Sequence, residues 1–169
     1  MSHPKLPNSH RCFVCGDDNP HGLRRRFHTD GERVWTRFTP DVPHMGFAGI
    51  AHGGVLAALL DETMGWAPAM AAGRFCMAIE LNLEYRRAVP IGTEVTVVGW
   101  STEHRRRIWQ AEGEIRDADG TVYVRGHGRF MPMSVERTRQ VLDTLVFDED
   151  CVARERLDGS AAPTDGGPA

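Results

Sequence analysis

The sequence lacks both a long apolar run and a large excess of one charge. Its most apolar stretch, residues 55–60 with their flanks, is interrupted by Asp61 and Glu62 and is too short and too polar to span a membrane. Residues 1–8 contain no apolar core of a signal peptide. The formal net charge is -3 and the isoelectric point is about 6.2, so nothing favours nucleic acid or a membrane as a partner. We therefore expect a cytoplasmic protein.

Cysteine is also scarce, since four cysteines among 169 residues do not make a disulfide framework. Two of them, Cys12 and Cys15, nevertheless form a CxxC pair, and two interpretations stay open. One is a zinc site, because thiolate and imidazole are zinc ligands. Its candidates are His10, Cys12, Cys15 and His21. The other, which the crowded spacing favours, is a reduced pair that caps the sheet, with no metal or cofactor.

The hydrophobic periodicity predicts one long buried helix among several strands. The helix begins near Gly53 or Gly54, is apolar nearly all round, and should be kinked or ended by Pro68. Residues 79–85 then alternate between apolar and polar, as in a strand with one wet face. Further strands are predicted at residues 24–29, 33–39, 94–103, 108–116 and 121–131, and a short helix after the N-cap candidate Ser134.

This order predicts an α+β domain, in which a curved antiparallel sheet wraps around the helix. Composition places an irregular segment with the CxxC pair at residues 1–22, the domain at 23–147 and a tail at 148–169, disordered from residue 158. A helix this apolar needs more cover than one small sheet provides. We therefore expect a partner subunit.

The candidate functional site lies at residues 49–66. Gly53 and Gly54 at the helix start leave unpaired N–H groups, which together with the helix dipole can stabilise a developing oxyanion. Two turns further on, Asp61 and Glu62 interrupt an apolar helix, where an unpartnered charge would be costly. Each feature alone is also common without a function, as a plain turn or as a helix edge in solvent. Their combination is what indicates chemistry.

Three motifs resemble one family. His52-Gly53-Gly54, followed by an apolar helix with Asp61, resembles the signature of hotdog-fold acyl-CoA thioesterases, in the phenylacetate-pathway-like and 4-hydroxybenzoyl-CoA-thioesterase-like branch. Residues 12–16 (CFVCG) resemble an N-terminal motif of one group of that branch. Residues 80–85 (ELNLEY) resemble its strand after the helix. The resemblance covers residues 10–132.

The resemblance implies a hotdog fold and cofactor-free hydrolysis of acyl-CoA, at a site on the interface of a homodimer or of a dimer of dimers. It implies that the Gly53 N–H polarises the thioester carbonyl and that Asp61 acts as general base or as nucleophile. His52 would mainly hold the glycine turn. Glu62 would pair with an arginine such as Arg86 or Arg87, and it is the alternative base.

Two positions depart from the family pattern. Gly46 stands where many relatives have an amide that orients the carbonyl, a role that His44 could take. Ala78 stands where many relatives have a hydroxyl that holds the attacking water. The apolar wall of Met64, Trp66 and Met77 suggests a medium-chain or aromatic acyl group, and arginines suit the phosphates of coenzyme A. The substrate-binding candidates are Gly54, His44, Gly46, Glu62, Met77, Ala78, Asn82, Arg86 and Arg87.

Three other functions compete with hydrolysis. The two departures favour a non-catalytic acyl-CoA or lipid-binding protein on the same fold. A hydratase is disfavoured, because its histidine should lie within the site and His52 precedes the helix. A zinc-dependent interaction protein would depend on the N-terminal cysteines.

Overall fold

One long helix packs against one antiparallel sheet. The structure, a computed structural model, describes residues 3–160. The helix is α1 (Gly53–Ala72). The strands of the sheet are β2 (His28–Thr29), β3 (Arg33–Phe38), β4 (Cys76–Tyr85), β5 (Val95–Glu103), β6 (Trp109–Arg116) and β7 (Val122–Pro132). A separate ribbon pairs β1 (Asn8–Ser9) with β8 (Leu145–Val146), and helix α2 (Val135–Leu142) precedes β8. The predicted α+β class is confirmed.

The strand order is β2-β3-β5-β6-β7-β4, and each neighbouring pair is antiparallel. The chain therefore leaves α1 and enters β4 at one edge of the sheet, where β7 is its neighbour. Along β4 the register shifts between Ala78 and Glu80, a β-bulge. Met77, Ile79 and Tyr85 on this strand are exposed. The other side of β4 is thus an open strand edge with apolar side chains.

The bounds of α1 follow from its two caps. His52 caps its start, and Gly73, in the left-handed region with a φ of 64°, ends it. Pro68 lies inside the helix and does not end it, because α1 continues to Ala72. Ten helix residues are buried, which confirms the buried character predicted from its composition. Among residues 3–160, no helix has the length and hydropathy that crossing a membrane would require.

Glycines of the sheet let α1 approach closely. A Cβ at Gly113 would lie 3.0 Å from Met64 Cγ and 3.1 Å from Leu60 Cδ2. A Cβ at Gly126 would lie 3.1 Å from Met64 Cε. The fully buried Met64 therefore fills space that side chains on β6 and β7 would otherwise occupy.

The segments before and after the predicted domain pack against each other. The N–H of Lys5 donates to the Asp150 carbonyl, and that of Val152 donates to the Lys5 carbonyl, both at 2.9 Å. The predicted boundaries at residues 22 and 147 stay a prediction. The disorder expected for residues 158–169 falls mostly outside the described residues. The predicted C-terminal helix is present as α2, whose first turn is capped by the Ser134 hydroxyl accepting from the Arg137 N–H at 3.1 Å.

Candidate active site

The start of α1 is held by the side chain that precedes it. Nδ1 of His52 accepts a hydrogen bond from the Gly54 N–H at 2.9 Å, and the His52 N–H donates to the His44 carbonyl at 2.7 Å. A Cβ at Gly46 would lie 3.2 Å from the His52 Cα, so a glycine permits this close packing. The contacts of His52 are therefore those of a capping residue that joins the preceding loop to the helix.

The paired glycines differ in what their N–H groups do. The Gly54 N–H is bound by His52, which corrects the expectation that both groups point outward unpaired. Gly53 is the first residue of α1, where an N–H has no acceptor within the helix. Its carbonyl accepts from the Tyr85 hydroxyl at 2.8 Å, and a Cβ on it would lie 3.3 Å from the Tyr85 ring. The Gly53 N–H is thus the candidate oxyanion donor, on a helix tip fixed by Tyr85.

Asp61 lies where two clefts meet. Its side chain is exposed on the free face of α1, opposite Ala78 of β4, and both residues line both clefts. Partial removal of water raises the pKa of the Asp61 carboxyl above its ordinary value, and the charge of Cys12 raises that pKa further. A carboxylate with a raised pKa is a better proton acceptor than a free aspartate.

The first cleft is mainly apolar and encloses about 440 Å³. It runs from Asp61 between α1, the start of β4 and α2. Its lining residues are Asp61, Glu62, Gly65, Trp66, Phe75, Cys76, Met77, Ala78, Phe130, Met133, Val141 and Leu145. Trp66 and Met77 line it as expected, whereas Met64 does not, because it is buried between α1 and the sheet. The cleft has the size and lining of a site for a small apolar group.

The second cleft follows the groove between α1 and the edge strand β4. It encloses about 420 Å³ and is lined by residues 57, 58, 61 and 78–81. The alanines at positions 57, 58 and 78 keep this groove open. A long ligand could therefore pass Asp61 with one end in the apolar cleft and the other in the groove.

Within one protomer, Gly53 and Asp61 are too far apart to act on the same atom. They are separated by eight residues of α1, and a rise of about 1.5 Å per residue places them roughly 12 Å apart along the helix. An oxyanion donor and a base must each lie about 3 Å from the reacting atoms. A site that used both groups would therefore have to take them from two different chains.

The comparisons with known proteins agree with this architecture. Residues 48–124 match the family model of the thioesterase superfamily. The crystal structure of RHA08564, a thioesterase superfamily protein, aligns with a TM-score of 0.67 and 32% identity, over 72% of this chain and 63% of that one. Residues 48–124 are thus similar to the thioesterase superfamily, and the long helix against a large antiparallel sheet is the hotdog fold.

One curated protein and one further solved structure are also similar to this chain. The acyl-coenzyme A thioesterase THEM5 of Mus musculus is 29% identical over 116 residues, which are 68% of this chain and 46% of that protein. The chain therefore spans less than half of the length of that curated relative. The structure of the E. coli PaaI protein from the phenylacetic acid degradation operon has a TM-score of 0.60 and 15% identity, over 66% of this chain and 81% of that one, which shows the shared fold alone.

Among residues 3–160, no arginine forms an ion pair with Glu62, contrary to expectation. Its carboxylate oxygens lie 3.5 and 3.8 Å from the Cys12 sulfur. Arg86 instead donates to Glu84, at 2.9 and 3.0 Å. Burial is the main cause that raises the pKa of Glu62, to about 7. The alternative base is thus turned towards the N-terminal cysteines, although it also lines the apolar cleft.

The remaining candidates lie away from Asp61. Nδ1 of His44 accepts from the Asp41 N–H at 2.9 Å and so closes its own turn. Asn82 donates to Glu80 at 2.7 Å on the exposed side of β4. Arg86 and Arg87 line a polar cleft with residues 119–122, just beyond Tyr85. They therefore lie near the Gly53 end of the helix and not near the Asp61 end.

Sequence reasoning missed the role of Tyr85 and the position of Cys76. Tyr85 was part of a motif but had no assigned contact, because its partner Gly53 lies 32 residues away. Cys76 lies beside Asp61 in the apolar cleft, where burial is the main cause that raises the pKa of its thiol to about 12. The sequence pattern placed the start of β4 at residue 79 and so left Cys76 outside the strand, whereas β4 begins at Cys76.

Proposed function

We propose that the chain hydrolyses acyl-CoA thioesters at a site built by two copies of the hotdog domain. Asp61 of one protomer acts on the thioester, and the Gly53 N–H of the second protomer stabilises the oxyanion. The observation that supports this most is the position of Asp61, at the junction of an apolar cleft and an open groove. An acyl group fits the first, and the extended arm of coenzyme A fits the second.

The reaction follows from these groups. The Asp61 carboxylate takes a proton from water while the water oxygen bonds to the thioester carbon. The carbonyl becomes an oxyanion, which the Gly53 N–H of the second copy binds. The C–S bond then breaks, and coenzyme A leaves as a thiolate that takes up the proton. In the alternative route the Asp61 oxygen attacks directly and water hydrolyses the resulting anhydride.

The open edge of β4 supports assembly of two copies. Met77 and Ile79 on this strand are 62% and 50% exposed, although both are apolar. A second protomer placed against this edge would cover them and would bring its own helix tip to Asp61. Arg86 and Arg87, next to that tip, are then suited to the phosphates of coenzyme A. The acyl group remains of the medium-chain or aromatic class, and the cell compartment remains proposed as cytoplasmic.

A release assay for the free thiol tests the proposal. Over a panel of acyl-CoA esters, Asp61→Asn should lower kcat by at least about 100-fold on the best substrate, because the carboxylate is the proton acceptor. The matched control is Asp148→Asn, the same change at an exposed aspartate that lines neither cleft at Asp61 nor the polar cleft of Arg86 and Arg87, and it should keep full activity. Equal turnover by Asp61→Asn and the wild type would refute the mechanism.

Labelled water separates the two routes. In a single turnover with excess protein in ¹⁸O-water, a general base gives labelled acid at once. A nucleophilic Asp61 instead gives unlabelled acid in the first turnover when water attacks the aspartyl carbon of the anhydride.

One observation favours a second function, binding of acyl-CoA without hydrolysis. Ala78, opposite Asp61, and its neighbour Met77 offer no hydroxyl to hold water. Tight binding of an acyl-CoA by the wild type without release of thiol would identify this function.

A further inference from the structure

The N-terminal segment and α1 meet in a cluster of three acidic groups. The sulfurs of Cys12 and Cys15 and a carboxylate oxygen of Glu62 all lie within 4.8 Å of one another. Cys15 is buried, and the other two are half-buried. In the described part of the chain, this is the one group of three such side chains with metal-ligating atoms this close. Cys12 is 50 residues and Cys15 is 47 residues away from Glu62 in the sequence.

The CxxC turn presents both sulfurs on one side. The Val14 N–H donates to the Cys12 sulfur at 3.3 Å, and the Gly16 N–H donates to the Cys12 carbonyl at 3.0 Å. A Cβ at Gly16 would lie 2.6 Å from the backbone of Cys12, so only glycine fits this turn. An N–H donor to sulfur favours the thiolate over the thiol, and thiolates are the form that binds metal.

The contacts between the three side chains lie within the cluster. The carboxylate oxygens of Glu62 lie 3.5 and 3.8 Å from the Cys12 sulfur, and the Cys15 sulfur lies within 4.8 Å of that sulfur and of a carboxylate oxygen. Buried acidic groups normally have a cationic partner or coordinate a metal. A cation of charge +2 between the three side chains would supply that partner.

We propose that Cys12, Cys15 and Glu62 bind one zinc ion, with a water molecule as the fourth ligand. Zinc is bound tetrahedrally, at about 2.3 Å from sulfur and about 2.0 Å from oxygen, which places a sulfur and an oxygen ligand about 3.5 Å apart. The Cys12 sulfur and Glu62 Oε2 are 3.5 Å apart. This pair therefore already has the spacing that the ion requires, and the Cys15 sulfur lies within 4.8 Å of the Cys12 sulfur and of a Glu62 carboxylate oxygen.

The site differs from the zinc site considered from the sequence. His10 and His21 are exposed, and Nδ1 of His10 lies 3.0 Å from Asp18 Oδ2. The third ligand comes from α1 instead. Zinc would tie the N-terminal segment to the helix that bears Asp61, one residue before Glu62. This inference does not depend on the proposed thioester hydrolysis.

Metal analysis of the purified full-length chain tests the site. After removal of metal and reloading, we expect one zinc per chain, and with cobalt an absorption band from thiolate-to-cobalt charge transfer. Cys12→Ser and Glu62→Gln should each weaken zinc binding by more than about 100-fold in a competition titration with a chromophoric chelator, because each removes a ligand. Circular dichroism of each variant checks that it is folded, and Glu62→Gln keeps both cysteines.

Two controls separate the alternatives. Cys151→Ser removes a cysteine outside the cluster, and His21→Ala removes a histidine of the sequence-based site. Both should bind zinc as the wild type does. The inference is overturned if reloaded protein holds no stoichiometric zinc and shows no thiolate band, or if Cys12→Ser and Glu62→Gln bind zinc with unchanged affinity. A Cys12–Cys15 disulfide in the peptide map of the zinc-treated protein would also overturn it.

Discussion

At the scale of single residues, two substitutions at Gly53 distinguish the effect of losing its N–H from the effect of adding a side chain. Proline is favoured at the first helical position and removes the N–H, and the extended backbone of His52 suits a residue before proline. Alanine adds a similar Cβ beside Tyr85 but keeps the N–H. Gly53→Pro should therefore lower kcat about 100- to 1000-fold, whereas Gly53→Ala should have a much smaller effect.

The measurement is kcat on the best acyl-CoA ester, with folding checked by thermal unfolding. If both variants lose activity equally, the added carbon and not the lost N–H is responsible, and Gly53 is not the oxyanion donor.

At the scale of elements, the glycines of the sheet control how closely α1 packs. A Cβ at Gly113 would lie 2.9 Å from the Val98 carbonyl oxygen and 3.0–3.1 Å from Met64 and Leu60, so Gly113→Ala should destabilise the fold by about 1–3 kcal/mol. Gly65 in α1 is the matched control. A Cβ there would meet Phe130 at 3.7 Å, an ordinary contact, so Gly65→Ala should stabilise by up to about 1 kcal/mol through helix propensity.

Urea denaturation gives the free energy of unfolding for both variants. A Gly113→Ala protein as stable as the wild type would show that helix and sheet do not pack as closely as described.

The sequence predicts the bounds of helices and strands better than it predicts contacts between distant residues. Alternation depends on neighbours in sequence, so the three last strands of the sheet were placed within one residue of their observed bounds. The strand predicted at residues 24–29 shrinks to two residues. Arg24 has a φ of 53°, which is not extended, and the backbone of Arg25 and Phe27 bonds to the N-terminal segment, at Val14 and Leu6. The contact of Glu62 with Cys12 joins distant parts of the chain and leaves no periodic signal.

Part of the site was predictable in the same way. The cap at His52 and the acidic pair in α1 are local features. The roughly 12 Å between Gly53 and Asp61 follows from helix geometry alone and could have been computed from the sequence. The path of β4 along the helix determines which cleft Asp61 faces and buries Met64 away from that cleft. No local sequence pattern indicates this path.

At the scale of the whole molecule, the proposed active site requires two copies of the chain. Ile79→Lys places a charge on the open edge of β4, where desolvation on association would be costly. We expect this variant to be a folded monomer in sedimentation velocity and to have lost hydrolysis. Val42→Lys is the control, because Val42 is also exposed and apolar, at 63%, but lies outside β4. A monomeric Ile79→Lys protein with full activity would show that one copy is sufficient.

Complementation tests the shared site most directly. In a mixed dimer of Asp61→Asn and Gly53→Pro chains, one of the two sites has both an intact Asp61 and an intact Gly53 N–H. Refolding the two inactive variants together at equal amounts makes about half of all dimers mixed, so about a quarter of wild-type activity should return. If mixed dimers form, as native mass spectrometry of differently tagged chains would report, and the mixture stays inactive, Asp61 and Gly53 of different protomers do not act together.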